Sequence, residues 1–79
     1  MSYPKISNKE KYRRVGLNIA LHRRNRNISQ IELAEKIGVS RTHISNIEAP
    51  NMETNVSLEV IFNIADALEI PVSSLFHFD

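Results

Sequence analysis

The sequence predicts an all-α fold, and three observations lead to this prediction. The chain has 79 residues with only two glycines and three prolines, so few positions favour tight turns. Apolar residues recur at intervals of three and four, as in amphipathic helices, and the alternation typical of β-strands is missing. Serine residues stand directly before several of these segments, where their hydroxyls can cap a helix. A chain of this length forms one small domain.

The first helix is expected from about residue 9 to residue 24, after residues 1–8, which we expect to form a flexible N-terminal arm. Leu17 and Leu21 fall outside its apolar stripe, and either the C-terminal segment or a partner chain covers them. Asn27 is expected to adopt the left-handed conformation that ends a helix. The residues expected in the buried stripe are Tyr12, Val15, Ile19 and His22.

Two further helices are expected in close succession. Ser29 can cap the second helix, and Glu32, three residues later, completes a capping box. Gly38 is expected to end this helix in a left-handed conformation. Ser40 then caps a third helix from about Arg41 to Glu48. The residues expected to face the core are Leu33, Ala34, Ile37, Val39, Ile44 and Ile47.

The C-terminal third is expected to add two more helices. Ser57 can cap the fourth helix, and Pro71 is well placed at the first position of a short fifth helix. Phe76 is expected to cap the core. Phe78 either joins Leu17 or Leu21 in a dimer patch or packs within the monomer. The expected apolar stripe of the fourth helix is Leu58, Ile61, Phe62, Ala65 and Leu68.

The charge of the chain is divided unevenly. The formal net charge is only +1, yet residues 1–27 contain eight basic residues and one acidic residue, whereas residues 28–79 contain two basic and eight acidic residues. This asymmetry indicates either an anionic partner for one face or a helix with a solvated basic face.

Composition excludes several classes of protein. Cysteine is absent, which removes disulfides, thiolate metal sites and cysteine nucleophiles. The three histidines lack metal-ligand spacing, and no catalytic triad or phosphate-binding glycine loop is present. We therefore expect no enzyme activity, no cofactor and no metal. No apolar run is long enough to span a membrane and no signal peptide is visible, so a cytoplasmic protein is expected.

The segment from Ser29 to Glu48 forms a unit of two capped helices joined by a tight turn. Ala34 is small enough for the two helix axes to approach closely, and Gly38 permits the sharp turn. This is the pattern of a helix-turn-helix motif, whose second helix can enter a major groove of DNA.

The motif resembles the Cro/cI-type (XRE) helix-turn-helix family, over about Val15 to Phe76. The resemblance implies a compact five-helix fold like that of the lambda repressor DNA-binding domain, with the helix-turn-helix at helices two and three. It also implies binding to a double-stranded DNA operator, usually as a homodimer. The matching residues are Gln30-x-x-Leu33-Ala34-x-x-x-Gly38-Val39-Ser40-x-x-x-Ile44-Ser45-x-Ile47-Glu48, with Gly16, Ile19 and Arg23 in the first helix and Ile70-Pro71-Val72 and Leu75-Phe76 at the end.

The same resemblance implies roles for three polar residues. Gln30 matches the glutamine that contacts a backbone phosphate and braces the recognition helix, where the helix N-terminus also favours an anion. Arg23 and Glu48 match a largely buried salt bridge between helices one and three, and we assign them a structural role.

The third helix supplies the candidate base-reading residues. Arg41, Thr42, Ser45 and Asn46 are expected on its outer face, where arginine can pair with guanine and asparagine with adenine. His43 is either a flanking phosphate contact or simply exposed. Asn51 is a candidate phosphate contact, together with Asn55 and Ser57. The loop departs from the family pattern, since it lacks a glycine and contains Glu53.

These observations predict a sequence-specific transcriptional regulator, acting as a repressor and binding as a homodimer to a palindromic operator. Two regulators of related type stay open: an antitoxin that represses its own operon, and a controller of a restriction–modification operon. A protein-interaction module, as in bridging coactivators, is the alternative from another class. The sequence indicates no small-molecule effector.

Overall fold

The computed structural model of the chain describes residues 5–49 and 56–78, and in these ranges it is all-α, as expected. Helix α2 packs on α3 and α4, α1 packs on α3, and the C-terminal 3-10 helix packs on α1 and α4. The elements are α1 (Asn8–Asn25), α2 (Gln30–Ile37), α3 (Arg41–Glu48), α4 (Leu58–Ala67) and a 3-10 helix (Val72–Phe76).

Serine side chains cap each of the four α-helices that the structure describes. The Ser29 hydroxyl accepts a hydrogen bond from the Glu32 backbone N–H at 3.0 Å, and the Glu32 carboxylate accepts one from the Ser29 backbone N–H at 3.1 Å, which completes the expected capping box. Ser40 and Ser57 cap α3 and α4 as expected. Ser7 caps α1, so this helix begins at residue 8, within the range expected for the arm.

The expected fifth α-helix is absent from the described residues, because Val72–Phe76 forms a 3-10 helix instead. Pro71 occupies its N-cap position and not its first helical position, and no side chain caps the segment. Five residues are too few to offset the cost of nucleating an α-helix, whereas short 3-10 segments are common at the ends of domains.

The core lies between the four helices and the 3-10 helix. Ile37 and Val39 pack on it at its edge, and Phe78 is half-buried against it, so this tail residue packs within the monomer. Leu17 and Leu21 are exposed, and the C-terminal segment does not cover them. The largest fully buried side chains are Ile19, Leu33, Ile44, Ile64, Leu68 and Leu75.

Five residues expected to be buried are not. Leu58 and Phe62 of α4 are exposed, and Ile64 takes their place in the core, because the buried stripe of α4 is narrower than its apolar composition suggests. In α1, Tyr12 is exposed and His22 is only half-buried. Phe76 is exposed beside Leu75, since the 3-10 helix turns Leu75 inward.

Candidate nucleic-acid interface

A three-residue turn sets the angle between α2 and α3. Gly38 adopts φ 75° and ψ 34°, a left-handed conformation that glycine adopts at little cost. The backbone N–H groups of Gly38 and Val39 both donate to the Ala34 carbonyl, at 2.9 and 3.0 Å. The Ala34 carbonyl in the last turn of α2 is thereby satisfied, and the chain enters α3 within three residues.

A close backbone contact fixes α3 against α1. A Cβ atom added at Gly16 would collide with the backbone carbonyl oxygen of Ile47 and crowd the Glu48 Cα. Gly16 is buried in the middle of α1, so the absence of a side chain there lets the two helices touch. This approach positions the end of α3 relative to α1.

A buried ion pair joins the same two helices. Arg23 Nε donates to Glu48 Oε2 at 2.7 Å and Arg23 Nη2 donates to Glu48 Oε1 at 3.0 Å. Both residues are only 7% exposed. The bidentate geometry is the strong form of this interaction, and it is the salt bridge that the family resemblance implied.

Two more hydrogen bonds extend the ion pair into a network. Gln30 Nε2 donates to Glu48 Oε1 at 3.0 Å, which brings in the first residue of α2. Arg23 Nη1 donates to the Ile28 carbonyl at 2.8 Å, which fixes the connection between α1 and α2. Because an amide nitrogen carries two hydrogens, Gln30 can keep its bond to Glu48 and still donate to a second acceptor.

The outer surface of α3 carries the expected base-reading residues. Arg41 and Thr42 are exposed, and Ser45 and Asn46 are half-buried. His43 is also half-buried and lies on the opposite flank of α3 from Ser45, as a helical turn of 3.6 residues requires. The inward face is formed by Ile44, Ile47 and Glu48. The structure therefore brings five of the seven candidate residues together on one short helix, with Gln30 beside the end of that helix.

The remaining candidates follow α3 in the sequence. Asn51 and Asn55 lie outside the described residues. The Ser57 hydroxyl accepts a hydrogen bond from the Val60 N–H at 3.2 Å, so its role in the structure is that of a helix cap.

Ion pairs reduce the positive charge of the N-terminal half. Glu10 accepts hydrogen bonds from Arg13 Nε at 2.8 Å and from Arg14 Nε at 2.9 Å. The hydrogen bonds from Arg13 and Arg14 lower the pKa of Glu10 to about 2, which keeps the carboxylate ionised. Arg26 pairs with Glu69 at 2.9 Å. The basic surface of α1 is therefore more nearly neutral than the count of basic residues suggests.

Sequence reasoning missed two contacts that hold the framework of the site. Glu69 has a positive φ of 57° just after α4 and reaches Arg26 across the fold. Asn18 Nδ2 donates to the carbonyls of Leu75 and His77, at 3.1 and 3.0 Å, and ties the C-terminal segment to α1. Each pair is more than 40 residues apart, so local pattern gives no indication of either contact.

Within residues 5–49 and 56–78, no helix has the length and apolar character that crossing a membrane requires. The same residues contain no cluster of three or more side chains suited to holding a metal ion.

The fold and this site define a helix-turn-helix domain. A helix-turn-helix family profile matches residues 19–75, which is most of the chain. The chain therefore belongs to the helix-turn-helix family, of the XRE (Cro/cI) type.

Two curated relatives are similar to this chain. The transcriptional regulator SinR of Bacillus licheniformis is 33% identical over 63 residues, which cover 80% of this chain and 56% of SinR. The immunity repressor of Bacillus phage phi105 is 38% identical over 61 residues, covering 77% of this chain and 41% of the repressor. The chain thus spans about half the length of the curated relatives it matches.

Solved structures show the same fold. SinR in complex with DNA superposes with a TM-score of 0.72 at 33% identity, covering 80% of this chain and 98% of the SinR chain. The restriction–modification controller C.AhdI of Aeromonas hydrophila superposes with a TM-score of 0.76 at 31% identity, covering 82% of this chain and 96% of that protein.

Proposed function

We propose that this protein is a sequence-specific double-stranded DNA-binding regulator of transcription, acting as a repressor. One observation carries the proposal. Helix α3 is anchored to α1 and α2 through Gly16, Arg23 and Glu48, while Arg41 and Thr42 on its outer face are exposed. An anchored helix with a polar outer face suits direct readout in the major groove.

Each residue of the outer face has a role in this proposal. Arg41 pairs bidentately with a guanine, Asn46 with an adenine, and Thr42 offers its methyl group to a thymine. Ser45 contacts a base or a phosphate. The phosphate contacts that fix the register come from Gln30, His43 and Asn51, and the N-terminus of α2 favours the phosphate that Gln30 meets.

The regulator acts as a homodimer on a palindromic operator. The eight residues of α3 span only about 12 Å, so one copy reaches one half-site. Two copies related by a two-fold axis would place their α3 helices in major grooves about 34 Å apart. In this proposal residues 9–79 form the binding domain and residues 1–8 are an arm. The proposal involves no catalysis, cofactor, metal or small-molecule effector.

Selection of bound duplexes from a random pool, followed by titration of Arg41→Ala on the selected operator, tests the proposal. Loss of a bidentate arginine–guanine pair is expected to weaken binding by about 1–3 kcal/mol, or roughly 5- to 150-fold, and to relax preference at one base pair. Lys36→Ala is the matched control, since Lys36 is exposed and borders a depression between α2 and α4. Unchanged affinity and unchanged preference for Arg41→Ala would contradict the assignment.

A restriction–modification controller is the second candidate, and the similarity to C.AhdI favours it. An antitoxin that represses its own operon is a further regulator of the same type. In each case the selected operator would match the promoter region of the protein's own operon, which mapping the binding site decides. A protein-interaction module is disfavoured by the polar outer face of α3. Affinity for duplex DNA that does not fall steeply with salt would favour the interaction module, because released counterions set that slope.

A further inference from the structure

The outward side of α1 carries an apolar ridge with arginines at both ends. Leu17 and Leu21 are 41% and 54% exposed, and they stand one helical turn apart. Arg13 and Arg14 precede Leu17 by four and three residues, and Arg24 follows Leu21 by three. Residues at these spacings are neighbours on the surface of a helix. We call the surface that these five residues form the α1 ridge.

The α1 ridge faces away from the core and from α3. Gly16 and Arg23 make the contacts of α1 with α3. Because 3.6 residues complete one turn of a helix, Leu17 and Leu21 lie on the side of α1 opposite to the buried residues. A molecule bound to the ridge therefore leaves the outer face of α3 uncovered. The buried residues of α1 are Val15, Gly16, Ile19, Ala20 and Arg23.

A groove of about 230 Å³ lies beside Leu17. Leu17 and Phe78 give it an apolar lining, and Arg13 and Arg14 place two guanidinium groups next to it. The Asn18 amide also lines the groove, but it donates to the carbonyls of the C-terminal segment. A groove of this kind accepts one large apolar side chain, with a carboxylate beside it that the guanidinium groups bind.

The charge around the ridge is positive. Glu10 accepts hydrogen bonds from Arg13 and Arg14, so one carboxylate serves two guanidinium groups, and Arg24 at the other end is exposed. Three arginines and one glutamate leave a net charge of +2 on this side of α1. An acidic partner is therefore attracted and a basic one repelled, and salt weakens both effects.

We propose that the α1 ridge binds an acidic amphipathic helix of a different protein. The apolar stripe of that helix packs over Leu17 and Leu21 as ridges pack into grooves between two helices. One of its apolar side chains enters the groove beside Leu17, and its flanking carboxylates meet the three arginines. The surface is small, so the complex is a transient one. This interaction goes beyond the binding of DNA and is compatible with it, because the two surfaces lie on different sides of the domain.

The two leucines favour a helical partner over duplex DNA. A nucleic acid is bound by neutralising phosphates with lysine and arginine, and a phosphate backbone offers no apolar surface to cover a pair of exposed leucines. An amphipathic helix offers both an apolar stripe and charged flanks, and recognition of such a helix relies on anchors spaced by three and four residues. The spacing of Leu17 and Leu21 meets this requirement.

Selection against the full chain from a displayed library of helical peptides, each of about five turns with randomised outward positions, tests the proposal. We expect the enriched peptides to carry apolar residues spaced by three and four, flanked by acidic residues. Binding of a synthesised enriched peptide is then compared between the parent and three variants. The test variants are Leu21→Glu and Arg24→Glu. The control is Ile31→Glu, since Ile31 is 55% exposed on α2, outside the ridge.

The dissociation constant of the peptide is expected to rise at least about tenfold for Leu21→Glu, which removes a central apolar contact. It is expected to rise at least about threefold for Arg24→Glu, which replaces an attraction by a repulsion at an exposed position, and to stay unchanged for the control. Circular dichroism confirms that the variants are folded. Absence of any enriched peptide, enrichment of basic peptides, or equal affinity of the parent and Leu21→Glu overturns the inference.

Two further measurements exclude other anionic partners. Leu21→Glu should keep its affinity for the selected operator within about threefold at physiological salt, and a loss as large as that for the peptide would make the ridge part of the DNA interface and overturn the inference. Binding to phosphatidylglycerol vesicles that both test variants abolish, without any enriched peptide, would identify a lipid surface instead. The peptide selection uses no DNA, so this inference and the proposed function can fail separately.

Discussion

Substitution of Glu48 by alanine tests the buried network that holds α3. The change leaves the Arg23 guanidinium, which is 7% exposed, without its bidentate partner. Removing one member of a buried ion pair costs about 3–5 kcal/mol. A chain of 79 residues has a free energy of unfolding of about 4–12 kcal/mol, at roughly 0.05–0.15 kcal/mol per residue. The variant is therefore expected to be marginally stable.

Urea denaturation followed by circular dichroism measures the effect, with Glu35→Ala as the control. Glu35 is exposed on α2, so its loss is expected to change stability by no more than about 0.5 kcal/mol. In thermal denaturation, the melting temperature of Glu48→Ala is expected to fall by at least about 12 °C, since a cost of 1 kcal/mol corresponds to roughly 4–8 °C in a domain of this size.

The double substitution Arg23→Met with Glu48→Leu distinguishes a buried charge from lost packing. Replacing both charges by apolar side chains is often neutral or stabilising, so the double variant is expected to regain most of the free energy of unfolding that Glu48→Ala loses. The Ile28 carbonyl, which accepts from Arg23, would then lose that donor at a cost of about 1–3 kcal/mol. A cost of less than about 1 kcal/mol for Glu48→Ala, or a double variant no more stable than the single one, would show that the buried ion pair does not anchor α3.

Three further predictions concern two glycines and one carboxylate. Gly16→Ala is expected to lower the free energy of unfolding by at least about 1–3 kcal/mol, because the added methyl group collides with the Ile47 carbonyl; a stability equal to the parent in chemical denaturation would contradict this close approach. A Cβ atom added at Gly38 would meet no atom within 4 Å outside the adjoining residues, so Gly38→Ala is expected to cost about 1–2 kcal/mol through its left-handed backbone alone. Gly38→Asn should recover part of that loss, and equal costs for the two variants would contradict a purely conformational origin. The hydrogen bonds from Arg13 and Arg14 lower the folded-state pKa of Glu10 from its ordinary value of 4.5 to about 2, so the stabilisation by Glu10 is fully present above pH 4.5 and is lost as the pH falls toward 2. The Glu10→Gln variant should therefore be less stable than the parent at neutral pH and equally stable near pH 2. A titration of the Glu10 carboxyl group by NMR with its midpoint near pH 4.5 would refute the pairing with Arg13.

Local sequence rules predicted the helix ends well, because capping depends on residues within one turn. Ser29 and Ser40 cap their helices as expected, Gly38 has the left-handed conformation that the absence of a side chain permits, and Asn27 has the expected positive φ of 56°. These residues also define the helix-turn-helix. The Arg23–Glu48 pair was available only through the family resemblance, since its members are 25 residues apart.

The periodicity of apolar residues predicted burial wrongly for part of α4. It identifies an apolar face but not how far the neighbouring elements extend over it, so Leu58 and Phe62 were expected in the core and are exposed. The hydrogen bond from Gln30 to Glu48 depends on how α2 lies against α3, so the bracing of the recognition helix by Gln30 was available only through the family resemblance. The roles of the outer residues of α3 stay predictions, together with the contacts assigned to Asn51.

The anchoring of α3 has a consequence for how this protein can change over evolutionary time. The residues that hold the helix, Ile44, Ile47 and Glu48, are buried, while Arg41 and Thr42 project outward and are exposed. Substitutions at the outward positions leave the buried contacts intact and are expected to cost little stability. A duplicated gene could therefore acquire a new binding preference through one or two substitutions while its product still folds, and relatives with nearly identical cores could diverge widely in the sites they recognise.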